Sequence, residues 1–421
     1  MARLLAASLL SLVLAACAAK PPPEAPPEAI RPPAFALNPA SFADLPGWQE
    51  DRMAEALPAL RASCPRLLAQ TSRPGPDGFT IFGPVAAWKP FCDGLAALAP
   101  GDDAGLRRLI EAEMRPVQVI GDGKPEGLFT GYYEPSLKGS RQRRPGYDVP
   151  VYGLPPDLVQ VDLGQFRSDW RGQRTAGRVQ NGFLRPYDDR AGIEAGKLEG
   201  KAPVLAWAAN PVDVFFLQIQ GSGRIELAEG GLLRVGFAGQ NGHPYTAIGR
   251  VLIDRGLLAR EDVTMPRLKQ WLAENPAEAP GLLRENKSFV FFREISPPAP
   301  SNMAASNIAG GGSQPDGPLG AQGLPLSPGR SLAVDRTHLA MGLPVWLSAS
   351  RPDAASSAGP DVTLNRLMLA QDTGGAIRGA VRGDVFWGHG PEAEAIAGAM
   401  KHPGRYWLLL PKTVMAGQPA S

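Results

Sequence analysis

The sequence predicts an α+β protein, mainly β with helices, and three observations carry that reading. Between about Trp48 and Met114 apolar residues recur at helical spacing. From Gly127 onward short alternating or apolar runs are punctuated by Gly and Pro, the texture of a β-barrel or sandwich. Late in the chain "LMLAQDTGGAIRGAVRGDVFWGHG" (Leu367–Gly390) sets two aspartates in a bed of glycine and apolar residues.

The elements follow in chain order. Residues 1–16 form a signal peptide. One arginine, Arg3, precedes an apolar run, Leu4–Ala16, too short to span a bilayer. Leu14-Ala15-Ala16-Cys17 matches the bacterial lipobox, so Cys17 becomes the mature N-terminus and carries acyl chains. The alternative is an ordinary leader ending at Ala-x-Ala, with Cys17 incidental. Ala18, rather than an aspartate, favours the outer membrane, periplasmic face. Residues 17–34 hold "KPPPEAPPEAIRPP", whose proline density gives an extended tether.

The rest of the 421-residue chain is long enough for two domains. A formal net charge of +2 and no basic cluster exclude nucleic acid as a partner. Cys64 and Cys92 either form a disulfide, which an oxidising compartment permits, or stay as two buried thiols.

Helices are predicted in "WQEDRMAEALPALRASC", "PVAAWKPFCDGLAAL" and "AGLRRLIEAEM". Strands follow at Gly127–Tyr133, Val149–Tyr152, Val204–Ala206, Val212–Gln220, Arg224–Leu227 and Leu232–Val235. Helical patterns return at Tyr245–Leu258, Pro266–Ala273 and Ala279–Glu285, then a strand at Ser288–Glu294. Pro297–Arg330 is low in complexity and reads as a flexible insertion. Strands resume at Ser331–Val334, Pro344–Ser348, Arg366–Gln371, Asp384–Trp387 and Tyr406–Leu410. One helix is expected near "GPEAEAIAGAMK", with Pro391 in its first turn.

Asp372-Thr373-Gly374 has the look of an aspartic protease triplet. Those enzymes need two such triplets sharing a proton, and the chain has one. Asp372 and Asp384 flank a glycine turn, so both can face one cavity. The blander role for Asp372 is to accept backbone N–H groups of that turn. Asp335, in "VDR", is either a third acid in the cavity or half of a surface ion pair. In "FFLQIQGSGRIEL", strand alternation puts Gln218 and Gln220 on one face, before the bend at Ser222. Amides there suit sugar hydroxyls and N-acetyl groups, or simply make a solvated face. "FTGYYEP" gathers Thr130, Gly131, Tyr132 and Tyr133, suited to sugar contact or to a core bend. The histidines, His243, His338, His389 and His402, show no paired metal spacing, so no metal is expected.

Together, "LFTGYYEP", "PVDVFFLQIQGSGRIEL", "GQNGHPYTAIGRVLIDRG", "SFVFF", "AVDRTHLAMGLPVWL", "LMLAQDTGGAIRGAVRGDVFWGHGPEA" and "GRYWLLLP" resemble the membrane-bound lytic murein transglycosylase A family. They stand in one order from about Leu128 to Pro411. The resemblance implies a double-psi β-barrel domain (35–135 and 297–415, with 297–330 a flexible insertion). An inserted β-rich domain (136–296) splits it, and a glycan groove lies between the two. It implies a peptidoglycan lytic exotransglycosylase that cuts the β-1,4 bond between N-acetylmuramic acid and N-acetylglucosamine and leaves a 1,6-anhydro ring. No cofactor is implied. The implied partners are glycan strands, the membrane through the N-terminal lipid, and a cell-wall synthesis complex.

Carried over residue by residue, the resemblance makes Asp384 the catalytic acid, with Asp372 and Asp335 supporting. Thr130 and its neighbours Gly131, Tyr132 and Tyr133, with Gln218, Gln220 and Ser222, map to glycan contacts. Ordinary glycosidases use two carboxylates. Here the sugar's own C6 hydroxyl is the nucleophile, so one acid suffices. That acid must titrate above the usual range, which apolar Val385, Phe386 and Trp387 and a like charge at Asp372 or Asp335 would bring about. A two-carboxylate hydrolase and a non-catalytic murein-binding lipoprotein are the alternatives.

Overall fold

The computed structural model describes residues 35–69, 83–170, 173–260, 262–295, 317–354 and 359–414, all within the unit Pro33–Ser421. The predicted leader, Cys17, the tether, residues 297–316 of the predicted insertion and the tail from Met415 lie outside the described residues.

The chain begins with β1 (Phe35–Pro39), which pairs antiparallel with β2 (Met114–Gly121). Between them lie α1 (Leu57–Ala69), α2 (Val85–Ala97) and α3 (Asp103–Glu113). Asp102 caps α3 by accepting from Gly105 N at 2.7 Å. Cys64 of α1 and Cys92 of α2 are disulfide-bonded, with Cα atoms 5.7 Å apart. β3 (Gly127–Glu134) then enters a barrel.

Past Glu134 the chain builds other sheets before it returns. β4 (Ser136–Ser140), β5 (Val149–Tyr152), β9 (Val204–Ala208), β10 (Ser222–Leu227), β11 (Leu232–Gln240) and β12 (Val290–Glu294) form a six-stranded sheet in the order β12-β11-β10-β4-β9-β5. β6 (Val159–Asp162), β7 (Arg174–Gln180) and β8 (Phe183–Pro186) form a small antiparallel sheet. Helices α4 (Arg190–Gly192), α5 (Pro211–Gln220), α6 (Ile248–Asp254), α7 (Met265–Glu274) and α8 (Ala279–Glu285) pack among them.

β13 (Ser331–Val334), β14 (Pro344–Arg351), β15 (Val362–Asp372), β16 (Arg382–His389) and β17 (Lys401–Pro411) rejoin β3, with α9 (Pro391–Ala399) before the last strand. Six of these strands close into a barrel in the order β17-β14-β15-β13-β16-β3, and the β3–β17 pairing completes the ring. Two neighbour pairs, β13–β15 and β16–β3, run parallel. The α+β class and the closed barrel are as the sequence predicts. The barrel core holds Phe129, Leu332, Val334, Val345, Leu367, Leu369, Val385 and Leu408, all buried. Arg330, at its edge, is 2% exposed and makes two bonds to Asp51, at 2.7 and 2.9 Å.

One element corrects the sequence reading. Val212–Gln220 is helical, not a strand. Asn210 caps the helix by accepting from Val212 N at 2.8 Å, Pro211 opens it, and Gly221 (φ 78°) ends it in the left-handed region. The helix is buried on two sides. Val214 and Leu217 pack on the six-stranded sheet, while Phe215 and Phe216 pack on α6–α8. A helix buried on two faces loses its polar stripe, and its apolar run then imitates a strand.

Candidate active site

The barrel's register gathers the acids. β13 lies between β15 and β16, so the two aspartates do not share a simple hairpin. Ala333 of β13 stands opposite Asp372 of β15 on one side and Asp384 of β16 on the other. Strand partners in register point to one face, so both carboxylates flank the small Ala333 side chain. Thr130 of β3 stands opposite Asp384 on its far side.

Alternation along β3 then separates its motif. Thr130 and Tyr132 face the acids, whereas Gly131 and Tyr133 face α9. Thr130 Oγ1 donates to Asp384 Oδ1 at 2.7 Å and accepts from Arg382 Nη2 at 2.8 Å. Tyr132 Oη donates to Asp372 Oδ2 at 2.7 Å, and Ala321 N donates to Oδ1 at 2.9 Å. Phe386, in line with Asp384 on the same strand face, packs on Tyr132 with ring centroids 5.3 Å apart. Ala333 and Ile377 complete this apolar floor.

Burial in that floor is the main force on both acids. It lifts the Asp384 carboxyl to about 6, against a pull downward from the Thr130 hydrogen bond and Arg382 and a further push upward from Asp372. Asp372 is also raised by burial, although Tyr132 and the Thr373 and Ala321 amides oppose it. The Tyr132 phenol is pushed well above its ordinary value by burial and by Asp372. It therefore stays a hydrogen-bond donor at any working pH. Arg382 is lowered by burial, with Asp384 opposing.

Asp335 is placed differently. Burial alone would raise it, but bonds from Gly379 N, Thr337 N and the Thr337 hydroxyl outweigh that and hold it below the ordinary carboxylate range. Its Oδ2 accepts from Gly379 N at 2.8 Å and its Oδ1 from Thr337 Oγ1 at 2.8 Å. Asp335 thus anchors the glycine loop between β15 and β16. Thr373 pins the start of that loop to Val334 O at 2.8 Å.

The remaining predicted residues lie elsewhere. Gly131 permits close approach, since a Cβ there would sit 2.7 Å from Trp387 Nε1 and 2.9 Å from Ala397 Cα. Tyr133 is buried against Ala393 and Ala397, and its backbone N donates to Gln220 Oε1 at 3.1 Å. Gln218 is buried and accepts from Arg190 Nη2 at 2.6 Å. The expected open face with two glutamines is therefore absent: helical geometry sends Gln218 inward and Gln220 to β3. Ser222 is buried at the start of β10. His389 is exposed at the end of β16. Among the described residues, no group of three or more His, Cys, Asp or Glu side chains could hold a metal ion.

Sequence reasoning missed Arg382 and Ala321. The first was findable, because Arg382 stands two residues before Asp384 and so shares its strand face. The second comes from a loop whose approach no local pattern reports. A cavity of about 640 Å³ lies away from the acids, lined by Leu154, Pro203, Leu205, Phe237 and Phe292 with Arg293 and Glu294. It has no paired acids; the two carboxyls raised by burial, Asp372 and Asp384, lie outside it.

Known proteins agree with this layout. Residues 128–293 match the family model of the MltA specific insert domain, and residues 330–410 match the 3D domain. A membrane-bound lytic murein transglycosylase A from Vibrio cholerae is 33% identical over 74% of this chain and 72% of its own length. The crystal structure of a membrane-bound lytic murein transglycosylase from Agrobacterium tumefaciens superposes with a TM-score of 0.73 at 31% identity, covering 90% of this chain and 98% of that one. Escherichia coli MltA with bound chitohexaose superposes with a TM-score of 0.61 at 28% identity, covering 91% and 93%. With that identity over more than two thirds of both chains, this chain belongs to the membrane-bound lytic murein transglycosylase A family.

Proposed function

We propose that this protein cleaves the β-1,4 bond between N-acetylmuramic acid and N-acetylglucosamine in peptidoglycan, forming 1,6-anhydromuramic acid with Asp384 as the single acid and base. The observation that carries this is a carboxyl lifted to about 6 on an apolar floor, beside a second carboxyl that carries its own donors. In the first step Asp384 gives its proton to the departing O4 of N-acetylglucosamine as the C1–O4 bond breaks. In the second the C6 hydroxyl of the muramic residue bonds to C1 and returns its proton to Asp384. No water is consumed, and the acid ends as it began.

Asp372 raises and positions Asp384, and Asp335 holds the glycine loop that frames the cleft. Thr130 and Arg382 orient the Asp384 carboxyl. Chitohexaose, bound by the Escherichia coli relative, is a β-1,4 chain of N-acetylglucosamine, so a murein glycan strand is the substrate class to expect here. We place the strand between the barrel (35–135 and 297–415) and the inserted sheets (136–296), with Tyr132 and Gln220 nearest it. The chain is anchored by lipid on Cys17 at the periplasmic face of the outer membrane. Among the described residues no helix is long and apolar enough to cross a membrane.

The test is Asp384→Asn. It should abolish release of anhydro-muropeptides from purified murein while binding to insoluble murein persists. Retained turnover would move the acid role to Asp372.

A further inference from the structure

The strand that carries Asp372 is irregular at the residue before it. β13 and β15 run parallel with Ser331 opposite Leu369 and Leu332 opposite Ala370, but Ala333 then stands opposite Asp372. Gln371 is the extra residue, so the pair contains a β-bulge. Without the bulge, register would bring Gln371 opposite Ala333 and in line with Asp384 across β13. Asp372 would then fall on the other face of the sheet. The bulge therefore decides whether an amide or a carboxyl stands across Ala333 from Asp384.

Three elements lock it. Gln371 is fully buried, as are Ser331 of β13 and Ser63 of α1. Gln371 Oε1 accepts from Ser331 Oγ at 2.6 Å, and its Nε2 donates to Ser63 Oγ at 3.2 Å. Its backbone O accepts from Gln322 N at 3.0 Å, and Ser63 Oγ donates to Gln322 Oε1 at 3.0 Å. The residue before Gln322 is Ala321, whose N–H reaches Asp372 Oδ1 at 2.9 Å. One loop thus holds the bulge carbonyl and the carboxyl with successive amides. Gly320 lets that loop come close, since a Cβ there would sit 2.6 Å from Gln371 O.

A plainer role for the Gln371 amide is to fix α1 to the barrel. That contact already has apolar material, because Leu57, Leu60 and Leu67 of α1 are buried in one core cluster with Leu367 and Leu369. A buried amide adds little to such packing, since its desolvation offsets its bonds. What a satisfied buried polar network supplies is one defined arrangement. Gln371 has a partner at each end of its amide and at its carbonyl, as a lock on register requires.

We propose that Gln371 is a positioning residue for the reaction, pinning the bulge that turns Asp372 onto the face of Asp384. This rests on the reading of Asp384 as the acid and Asp372 as its support. Gln371→Met keeps the length of the side chain and removes both hydrogen-bonding atoms. Its crystal structure and its pH–rate profile for anhydro-muropeptide release are compared with the parent's, with Tm as the check on folding. The titratable groups around Asp384 are Asp372, Tyr132 and Arg382. Turning the Asp372 charge away should move the high-pH limb to lower pH, and kcat should fall roughly tenfold or more. In the crystal Asp372 should lose its bonds to Tyr132 and Ala321. Ser63→Ala removes one bond to the same amide and should move the limb the same way by less; it carries the test if Gln371→Met does not fold.

Asp372 still bonded to Tyr132 and Ala321 in the variant crystal would overturn the proposal. So would a lower Tm with kcat and the limb unchanged, which would leave Gln371 as an anchor for α1. The single-acid reading fails separately: parent products without a 1,6-anhydro ring would sink it, and the crystal comparison would still decide the bulge.

Discussion

Replacing Thr130 by valine tests how the cleft sets its acid. Thr130 Oγ1 donates to Asp384 Oδ1 at 2.7 Å and favours the charged form. A carboxyl of pKa about 6 keeps roughly one group in ten protonated at pH 7, against about one in 1,600 at the ordinary value of 3.8. Burial therefore raises the supply of competent acid by about two orders of magnitude. A hydrogen bond to a charged group contributes roughly 1.5–3 kcal/mol, and about 1.36 kcal/mol moves a pKa by one unit. Water can enter the half-open cleft and replace part of the lost donor, so Thr130→Val should raise the Asp384 pKa by about half to one unit.

The first step needs the protonated acid, so activity is lost as pH rises through that pKa. The assay is the initial rate of anhydro-muropeptide release between pH 4.5 and 9. The high-pH limb should move upward in the valine variant, while the plateau falls because the carboxyl loses its orienting partner. A limb that stays in place, or moves down, would refute the reasoning.

Other outcomes follow from the same geometry. The folded Asp384 pKa lies above its ordinary value, so its contribution to stability is full below about pH 4 and is lost as pH rises through about 6. Asp384→Asn should therefore stabilise the fold at pH 7.5, by about 3 kcal/mol at most and on the order of half that with partial solvent access, seen as a higher Tm. Asp335→Asn should loosen the glycine loop and lower kcat by roughly 10- to 100-fold while leaving the high-pH limb in place; a shifted limb would make Asp335 part of the titrating pair. Cys64→Ala/Cys92→Ala should cost about 3–4 kcal/mol in denaturant unfolding, as expected for a sequence separation of 28, with activity kept at low temperature.

Much of the barrel was legible in the sequence because its strands are short, apolar and cleanly punctuated. Ser331–Val334 of the barrel is a strand at the predicted bounds, as is Val149–Tyr152 of the six-stranded sheet. The small sheet was missed because its strands are short and mix polar with apolar residues on largely exposed faces, and "VQVD" beside "GQFRSDW" reads as loop. Met114–Gly121 was missed because it follows the helix α3 without a break. Val212–Gln220 misled because burial on two sides erased helical periodicity. At the site the acids and their strands were readable. Their pairing across β13 was not, since strand order in a closed barrel is set by contacts far apart in sequence. The sorting of Thr130 and Tyr132 from Gly131 and Tyr133 follows from alternation and was available. Gln218 was misassigned along with its element.

The most direct test of the single-acid mechanism is cleavage of purified murein in water enriched in oxygen-18, with mass spectrometry of the soluble fragments. Intramolecular attack by the C6 hydroxyl predicts fragments ending in 1,6-anhydromuramic acid and free of the heavy isotope. Reducing-end fragments carrying one heavy oxygen would show that water attacks C1, and would make Asp372 and Asp384 a hydrolytic pair.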